Sequence, residues 1–456
     1  MKFISVYCLS ALVLGFVVAR SQPATAPPQI PPDERYKADV LLVVAHPDDE
    51  TAVGAYLARA VFDDHLRVAI VYCNRGGGGG NSIGNEQSFS LGLEREIEAR
   101  RAVSAFGITN VWFLDGRDTP GQDVFQSLEN WRHGAGLDEV VRLVRLTRPG
   151  VILTWLPHGD AGENHGDHQA SGVIATEAFD MAGDPTVYPS QVVHPRERGD
   201  INNATEGLLP WQARKIYYFS DASHAVEGPG PRFDIAAVSP ARGLPYYRLA
   251  AGLHIPHKTQ ADVSESAEKA IASGDFKQFR EWLGTFRILY GKSVVPANPN
   301  GEIMEGVTPA PWPFVPHPGY CPETPREISL SLGGVYAFYR SFWHAHGIEN
   351  VGPLIPSEIM IATGSYFHLP LQLRNPTRDT VDVALGADLP PGWTALEGAA
   401  VYRLSPGETR PVEAFMRAPA DASKGIQNIS WQASVGGKTA GSASIAVSLA
   451  EWTLPE

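Results

Sequence analysis

The alternation of short aliphatic runs with amphipathic stretches constrains the fold of this chain more than any other feature of its sequence. Four nearly continuous apolar runs suit strands buried on both faces, and they cover residues 39–45, 67–73, 111–114 and 150–155. Apolar residues at helical spacing predict helices over residues 51–62, 92–106, 137–147 and 170–182. This order predicts an α/β fold, namely a Rossmann-like parallel sheet with helices on both faces.

The last part of the chain has a different pattern, in which short alternating runs are separated by turn-forming residues. These runs cover residues 366–374, 381–385, 411–415, 427–433 and 443–449. Alternation with frequent turns predicts a C-terminal antiparallel β-sandwich. Because no cluster of potential metal ligands occurs in this part of the sequence, we expect the chemistry to lie in the first domain.

Proline-rich stretches separate these parts of the chain. The division that we predict is a signal peptide at 1–21, a proline-rich linker at 22–33, a catalytic domain at 34–292, a proline-rich crossing and packing segment at 293–355, and the sandwich at 356–456. Within the crossing, we expect the aromatic segment 341–346 to pack against the catalytic domain, with His344 and His346 in structural roles. The sequence of the insert at 183–210 does not suggest a role for it.

The N-terminus has the pattern of a secretory signal, in which Lys2 precedes an apolar run from residue 3 to residue 19. We therefore expect the protein to be secreted or periplasmic, and the alternative is an uncleaved membrane anchor. Cys8 would be removed with the signal, and Cys73 and Cys321 could then pair.

Charge and composition exclude several classes of function. The net charge is −13 and no block of Lys and Arg occurs, so we expect no nucleic-acid partner and no integral membrane contact. Three widely spaced cysteines exclude a disulfide framework and a Cys-based zinc site. The glycine run 76–80 lacks the Lys-Ser/Thr of a phosphate loop and indicates a flexible active-site rim. The sequence contains no G-x-S-x-G elbow, so nothing in it indicates a serine hydrolase.

Two polar clusters directly follow predicted strands. The segment 46–50 (HPDDE) contains one imidazole and three carboxylates, and the segment 163–168 (ENHGDH) adds two histidines. Each cluster alone is ambiguous, because it could be a solvated turn or a charged helix N-terminus. Together, at the carboxyl ends of two parallel strands, they predict a His₂-carboxylate metal site with open positions, as in catalytic zinc sites. Iron, cobalt and nickel remain alternatives to zinc.

Several motifs resemble the PIG-L/LmbE-like deacetylase family over about residues 38–290. They are the AHPDDE segment, the helix with Arg95 and Glu98, the loop 113–118 and the HGDH segment, and 257–260 resembles a late element of the family. The resemblance implies zinc enzymes that remove acyl groups from N-acetylglucosamine-type amides through attack by a metal-bound water.

The resemblance also implies a role for individual residues. The metal ligands would be His46, Asp49 and His168, and Asp48 would be the general base. A protonated His165 would stabilise the oxyanion, and Asp167 would be an assisting carboxylate. Arg95 and Asp118 would bind sugar hydroxyls. For Asp48 the alternative is a carboxylate that orients His46. For Arg95 and Asp118 the alternatives are a helix-surface cation and a turn carboxylate.

The second domain resembles the immunoglobulin-like modules attached to carbohydrate-active enzymes. Its aromatic residues Trp393, Tyr402 and Trp431 are interpreted as core residues, with a sugar platform as the alternative. From these features we expect a secreted zinc-dependent N-deacetylase whose substrate is an acetamido sugar, polymeric or conjugated. The alternatives are an amidase of a larger acyl or thiol-sugar conjugate and a non-catalytic sugar-binding protein.

Overall fold

The computed structural model describes residues 33–159, 164–192, 207–220, 226–317, 325–421 and 425–450. The expected signal peptide, all of the linker except Asp33, and both Cys8 and Cys321 lie outside these ranges, as do Glu163 and half of the insert. Secretion and the pairing of Cys73 with Cys321 therefore stay predictions. No helix in the described ranges is long and apolar enough to cross a membrane.

The catalytic domain is built on a six-stranded sheet with the order β3-β2-β1-β4-β5-β6. The strands are β1 (Val40–Val44), β2 (Val68–Asn74), β3 (Asn110–Gly116), β4 (Val151–Trp155), β5 (Lys215–Ser220) and β6 (Arg287–Ser293). The first five are parallel, and β6 is an antiparallel edge strand. Every residue of β1 and β4 is buried, as the continuous apolar runs predict.

Helices cover both faces of the sheet, which confirms the predicted α/β architecture. They are α1 (Gly54–Phe62), α2 (Phe89–Ser104), α3 (Val124–Asn130), α4 (His133–Thr147), α5 (Gly166–Met181), α6 (Tyr246–His254), α7 (Ala261–Ser273), α8 (Lys277–Leu283) and α9 (Gly334–His346). Successive side chains of a strand point to opposite faces, so Leu41 and Val43 belong to a buried cluster with residues of α4, α5 and α9, whereas Leu42 and Val44 belong to a second cluster with residues of α1, α6 and α8.

The C-terminal domain is a β-sandwich of two sheets with the orders β12-β10-β14-β15-β8 and β11-β13-β9-β7. The strands are β7 (Ser329–Leu332), β8 (Ile359–Ala362), β9 (Tyr366–Arg374), β10 (Val381–Asp388), β11 (Thr394–Glu397), β12 (Ala400–Leu404), β13 (Thr409–Arg417), β14 (Gly425–Val435) and β15 (Lys438–Ala450). The pairing is antiparallel except that β8 runs parallel to β15. Trp431 and Trp393 are buried in its core, as expected.

The segment 293–355, which was expected to be a proline-rich crossing and packing segment, contributes to both domains. Strand β7 pairs with β9, so the expected boundary at residue 356 leaves out one strand of the sandwich. The proline-rich context and the length of only four residues obscured this strand in the sequence. Helix α9 packs on the catalytic core through Phe342 and Trp343, which confirms the expected packing of 341–346. His344 and His346 lie against Glu349 and Asp180, at 2.8 and 2.7 Å.

Candidate metal centre and active-site cleft

The chain turns sharply at Asp48, directly after β1. Its φ of 119° and ψ of −24° are unusual for a residue with a side chain and must be held by surrounding contacts. The backbone N–H of Asp48 donates to Oε2 of Glu50 at 3.0 Å, and Nε2 of His257 donates to Oε1 of the same carboxylate at 2.8 Å. The amide of Gln260 donates to the carbonyl of Pro47 at 2.9 Å. The late motif 257–260 therefore lies against the first metal-binding loop and fixes its conformation.

Asp49 presents one carboxylate oxygen to the site, because the other is fully engaged. Oδ2 accepts hydrogen bonds from the backbone N–H groups of Ala45 and His46 and from the indole of Trp155, at 2.8–2.9 Å. Oδ1 lies 3.2 Å from Nε2 of His168 and 3.7 Å from Nδ1 of His46. Burial disfavours the charged carboxylate, but the neighbouring imidazoles outweigh it and hold the pKa of Asp49 well below its ordinary value.

The three predicted metal ligands converge at the spacing that a metal ion requires. Nδ1 of His46 lies 3.2 Å from Nε2 of His168, and Oδ1 of Asp49 faces both nitrogens. Tetrahedral zinc with bonds of about 2.0–2.1 Å places its donor atoms about 3.3 Å apart. The chemistry of this donor set and its spacing therefore fit a divalent ion.

Other groups of donors overlap with this set. They are His46 with His165 and His168, and His46 with Asp118, His165 and Asp167. We favour the predicted set because the second nitrogen of His46, Nε2, faces the carboxylates of Asp118 and Asp167 at 3.4 and 3.3 Å. A histidine that binds a metal through one nitrogen commonly donates its other N–H to a carboxylate, which orients the ring.

Asp167 lies behind His46 and has no exposed surface. Its Oδ2 accepts hydrogen bonds from the amide of Asn74 and the backbone N–H of Thr119, each at 3.0 Å, and faces Nε2 of His46. Asp167 is expected to be an assisting carboxylate, and its burial means that it would act through the ring of His46.

His165 is the residue before α5, and its ring lies 4.9 and 5.2 Å from those of His46 and His168. Its Nε2 lies 2.9 Å from the carbonyl oxygen of Thr119, so this nitrogen carries the proton of the neutral ring. Burial, followed by the two nearby imidazoles, lowers the pKa of His165. The stabilisation of the oxyanion by a protonated His165 stays a prediction.

Asp48 lines the cleft beside the ligands with a half-buried side chain. Burial, with the charge of Asp49 as the next cause, raises the pKa of Asp48 to about 8. A carboxylate with a raised pKa is a stronger base, which suits the predicted role in proton transfer.

Arg95 and Asp118 hold the glycine run 76–80 beside the metal centre. The guanidinium of Arg95 donates to the carbonyl oxygens of Gly76 and Gly80 at 2.6 and 2.9 Å. Oδ2 of Asp118 accepts from the backbone N–H of Gly78 at 2.7 Å. The glycine run lies on the rim of the cleft, as expected, and the predicted contacts of both residues with sugar hydroxyls stay a prediction.

The metal centre lies in a cleft of about 880 Å³, whose other wall is formed by α7 and α8. The structure adds functional residues that the sequence analysis did not assign: Glu50, Asn74, Thr119, Trp155 and His257. Glu50 is part of the segment 46–50 and Trp155 ends the strand before the second segment, so both could have been considered on that ground. Nothing local marks Asn74 or Thr119, because their partner Asp167 is distant in the chain.

Comparison with known proteins agrees with this geometry. Residues 41–179 match the family described as "PIG-L: GlcNAc-PI de-N-acetylase". Residues 364–436 match "NPCBM-associated, NEW3 domain of alpha-galactosidase" within the sandwich.

Among curated proteins, the chain is 32% identical over 218 residues to 1D-myo-inositol 2-acetamido-2-deoxy-alpha-D-glucopyranoside deacetylase 1 of Frankia alni, covering 43% of this chain and 68% of the relative. A deacetylase of the same description from Thermobifida fusca is 28% identical over 204 residues, covering 41% and 64%. The chain thus spans about two thirds of the length of these curated relatives.

Among solved structures, N,N'-diacetylchitobiose deacetylase from Pyrococcus horikoshii is similar at 18% identity and a TM-score of 0.36, covering 56% of this chain and 84% of the other. The motifs, their convergence at one site and the sequence similarity agree, and the chain belongs to the PIG-L family of N-deacetylases.

Proposed function

We propose that the protein is a zinc-dependent hydrolase that removes the N-acetyl group from an N-acetylglucosamine-type sugar or conjugate. The observation that carries this proposal is the convergence of His46, His168 and Asp49 in a cleft that also exposes the carboxylate of Asp48. The relatives from Frankia alni and Thermobifida fusca are described as deacetylases of an acetamido sugar, which supports the same class of substrate.

The metal would be held by Nδ1 of His46, Nε2 of His168 and Oδ1 of Asp49. A bound divalent ion would polarise the amide carbonyl and lower the pKa of water in the cleft. Three protein ligands of nitrogen and oxygen leave positions open, which is the pattern of catalytic zinc sites. Asp167 and Asp118 would keep the ring of His46 in the required orientation.

Asp48 would move the proton that the reaction requires. The carboxylate takes a proton from the attacking water as the new C–O bond forms, and it delivers a proton to the sugar nitrogen as the C–N bond breaks. The products are acetate and a free amine. The fixed backbone of Asp48 holds the carboxylate beside the ligands throughout these steps.

The volume of the cleft favours a substrate larger than a single acetamido sugar. At about 880 Å³ it lies at the upper end of the range for small-molecule sites. A conjugate or an oligosaccharide is therefore a suitable substrate. The volume is also compatible with the alternative of an amidase that acts on a larger acyl group. A non-catalytic sugar-binding protein would need neither the complete donor set nor Asp48.

Release of acetate tests the proposal. We expect the purified protein to release acetate from N-acetylglucosamine, N,N'-diacetylchitobiose (called chitobiose below) or N-acetylgalactosamine, to lose this activity with a chelator, and to regain it with Zn²⁺. Elemental analysis of protein purified without added metal identifies the native ion, and Asp48→Asn is the matched inactive control. If no acetamido sugar releases acetate with any divalent metal, the proposal is wrong.

We also propose that the protein acts outside the cytoplasm, because Lys2 and the apolar run 3–19 have the pattern of a secretory signal. Fractionation of the producing cells and N-terminal sequencing of the mature protein test this. A mature N-terminus near residue 21 in the exported fraction is expected. Full-length protein retained in the cytoplasm would contradict it.

A further inference from the structure

We infer that the cleft contains a second binding position at Trp282, which takes an uncharged sugar or polyol unit attached to the acetamido sugar. This inference rests on the proposed function, since it names the part of the substrate that lies beyond the reacting sugar. Four observations support it: the exposure of Trp282, its connection to the metal centre, the charge of the surrounding wall, and the polar side chains around it.

Trp282 lies on α8 and lines the cleft, yet 42% of its surface is exposed. Its ring is held by edge contacts with Phe286 and His254, at centroid distances of 5.1 and 5.5 Å, and by a tilted contact with Phe279 at 6.1 Å. An exposed indole that is fixed by its neighbours presents a large apolar surface at little cost in conformational entropy. The C–H face of a sugar ring is a suitable partner for such a surface.

A continuous series of aromatic contacts connects Trp282 to the metal centre. The ring of the predicted ligand His168 stacks on Trp155 with centroids 4.2 Å apart. Trp155 lies 6.4 Å from Phe286, which in turn contacts Trp282. These residues all line the same cleft. Only two rings lie between His168 and Trp282, and we therefore assign this position to the unit bonded directly to the reacting sugar.

The wall of the cleft that contains α7 and α8 is acidic. Asp262, Glu265 and Asp275 line this part of the cleft, and the ammonium of Lys269 lies 3.1 Å from Glu265. Arg95, the other lining residue with a permanent positive charge in the described part of the chain, donates to the glycine carbonyls. A phosphate or carboxylate on the attached unit would be repelled, so the position selects against anionic conjugates.

Short polar side chains complete the position. Gln278, Ser273 and Ser266 line the same wall, and amide and hydroxyl groups can both donate to and accept from sugar hydroxyls. An aromatic surface with a few polar groups is the usual composition of a small-molecule site.

The comparison of one sugar with two tests the inference. We expect Trp282→Ala to lower kcat/KM for chitobiose about tenfold and to leave kcat/KM for N-acetylglucosamine within about twofold of wild type. Trp282→Phe should retain most of the activity on chitobiose and serves if the alanine variant does not fold. The matched control is Trp312→Ala, because Trp312 is also partly exposed but does not line the cleft.

Two further measurements separate this inference from the proposed function. Cellobiose has no acetamido group, and its binding to the zinc-loaded wild-type protein, followed by calorimetry, should weaken about tenfold in Trp282→Ala. If no sugar releases acetate but cellobiose binding depends on Trp282, the proposed activity falls and the binding position stands. Equal losses on one sugar and on two, no effect on chitobiose, or faster turnover of N-acetylglucosamine 1-phosphate than of chitobiose would each overturn the inference.

Discussion

Nε2 of His257 donates a hydrogen bond of 2.8 Å to Oε1 of Glu50, and both side chains are completely buried beside the metal centre. The two residues are 207 positions apart in the chain. The other oxygen of Glu50 accepts the backbone N–H of Asp48, which has a positive φ. The proposed general base is thus held by a contact that the end of the catalytic domain supplies.

This relationship predicts the effect of Glu50→Ala. The substitution leaves two buried donors without an acceptor, which costs about 1–3 kcal/mol per group in the free energy of unfolding. It also frees the backbone of Asp48, so we expect kcat to fall at least about tenfold while metal content is retained. Urea unfolding, kcat and metal analysis check this. Glu50→Gln, which keeps one acceptor, should recover part of kcat; wild-type kcat in Glu50→Ala would contradict the positioning role.

Substitutions at the metal centre should separate ligands from the base. We expect His46→Ala, Asp49→Ala and His168→Ala each to lower the metal content together with the rate. Asp48→Asn should retain metal and lose about 10²- to 10⁴-fold in kcat, because it removes proton transfer and not a ligand. Elemental analysis of each variant beside its kcat makes the distinction. Equal metal loss in Asp48→Asn would place Asp48 among the ligands.

The glycine run offers a matched pair of substitutions. A Cβ at Gly79 would lie 2.8 Å from both terminal nitrogens of Arg95, whereas a Cβ at Gly80 would have nothing within 4 Å. We therefore expect Gly79→Ala to displace the guanidinium and raise KM about three- to tenfold, and Gly80→Ala to behave like wild type. Steady-state kinetics on chitobiose measure KM for both variants. Equal effects of the two changes would mean that Arg95 does not organise the rim.

His254 should make the protein less stable in mild acid. Burial lowers its pKa to about 4, and Nδ1 donates to the carbonyl of Ala250 while Nε2 has no hydrogen-bond partner in the described part of the chain. Between pH 4 and its ordinary pKa of 6.5 the unfolded state binds more protons, so stability falls as pH is lowered through this window, by about 3 kcal/mol in total. His254→Gln should reduce the difference between the free energies of unfolding at pH 7 and pH 5, measured with urea. An unchanged difference would contradict the assignment of this pH dependence to His254.

The central sheet and the convergence of the two polar clusters could be predicted because both depend on local patterns. Strands such as β1 and β4 are buried on both faces and so appear as continuous apolar runs. Their carboxyl ends meet at one edge of the sheet, so the clusters 46–50 and 163–168 were expected to converge. Six strands were not predicted, namely β5, β6, β7, β8, β11 and β12. Of these, β6 is a half-buried edge strand and β7, β8 and β11 have only four residues each, whereas β5 is fully buried and was missed all the same.

What could not be predicted depends on contacts between distant segments. The pattern that placed Arg95 and Asp118 near the site could not tell whether they meet a sugar or the glycine run, because both offer similar hydrogen-bonding groups. Similarly, the partner of Glu50 depends on how 257–260 packs beneath the first loop. The register between such segments is fixed by tertiary packing and leaves no periodic signal in the sequence.

The catalytic domain should act on the smallest sugar substrate without the sandwich. Helix α9 packs on the catalytic domain and is bonded to it. Tyr339 donates to the side chain of Gln169 at 2.5 Å, and the indole of Trp343 donates to the carbonyl of Pro157 at 2.8 Å. A protein truncated after Ile355 keeps this helix and loses β8–β15. We expect it to remain folded, to bind metal and to retain activity on the smallest sugar substrate within about threefold.

Truncation after Ile355 also uncovers β7, whose Leu330 and Leu332 are buried against the sandwich. Leu330→Ser combined with Leu332→Ser should therefore improve the solubility of the truncated protein without changing its kinetics. A matched truncation after Val315, which removes α9 as well, should unfold, because it exposes the core that Phe342 and Trp343 cover. Circular dichroism, metal analysis and acetate release distinguish the protein that ends at Ile355 from the one that ends at Val315. Loss of activity on the smallest sugar in a folded, metal-loaded protein ending at Ile355 would mean that the sandwich shapes the cleft itself.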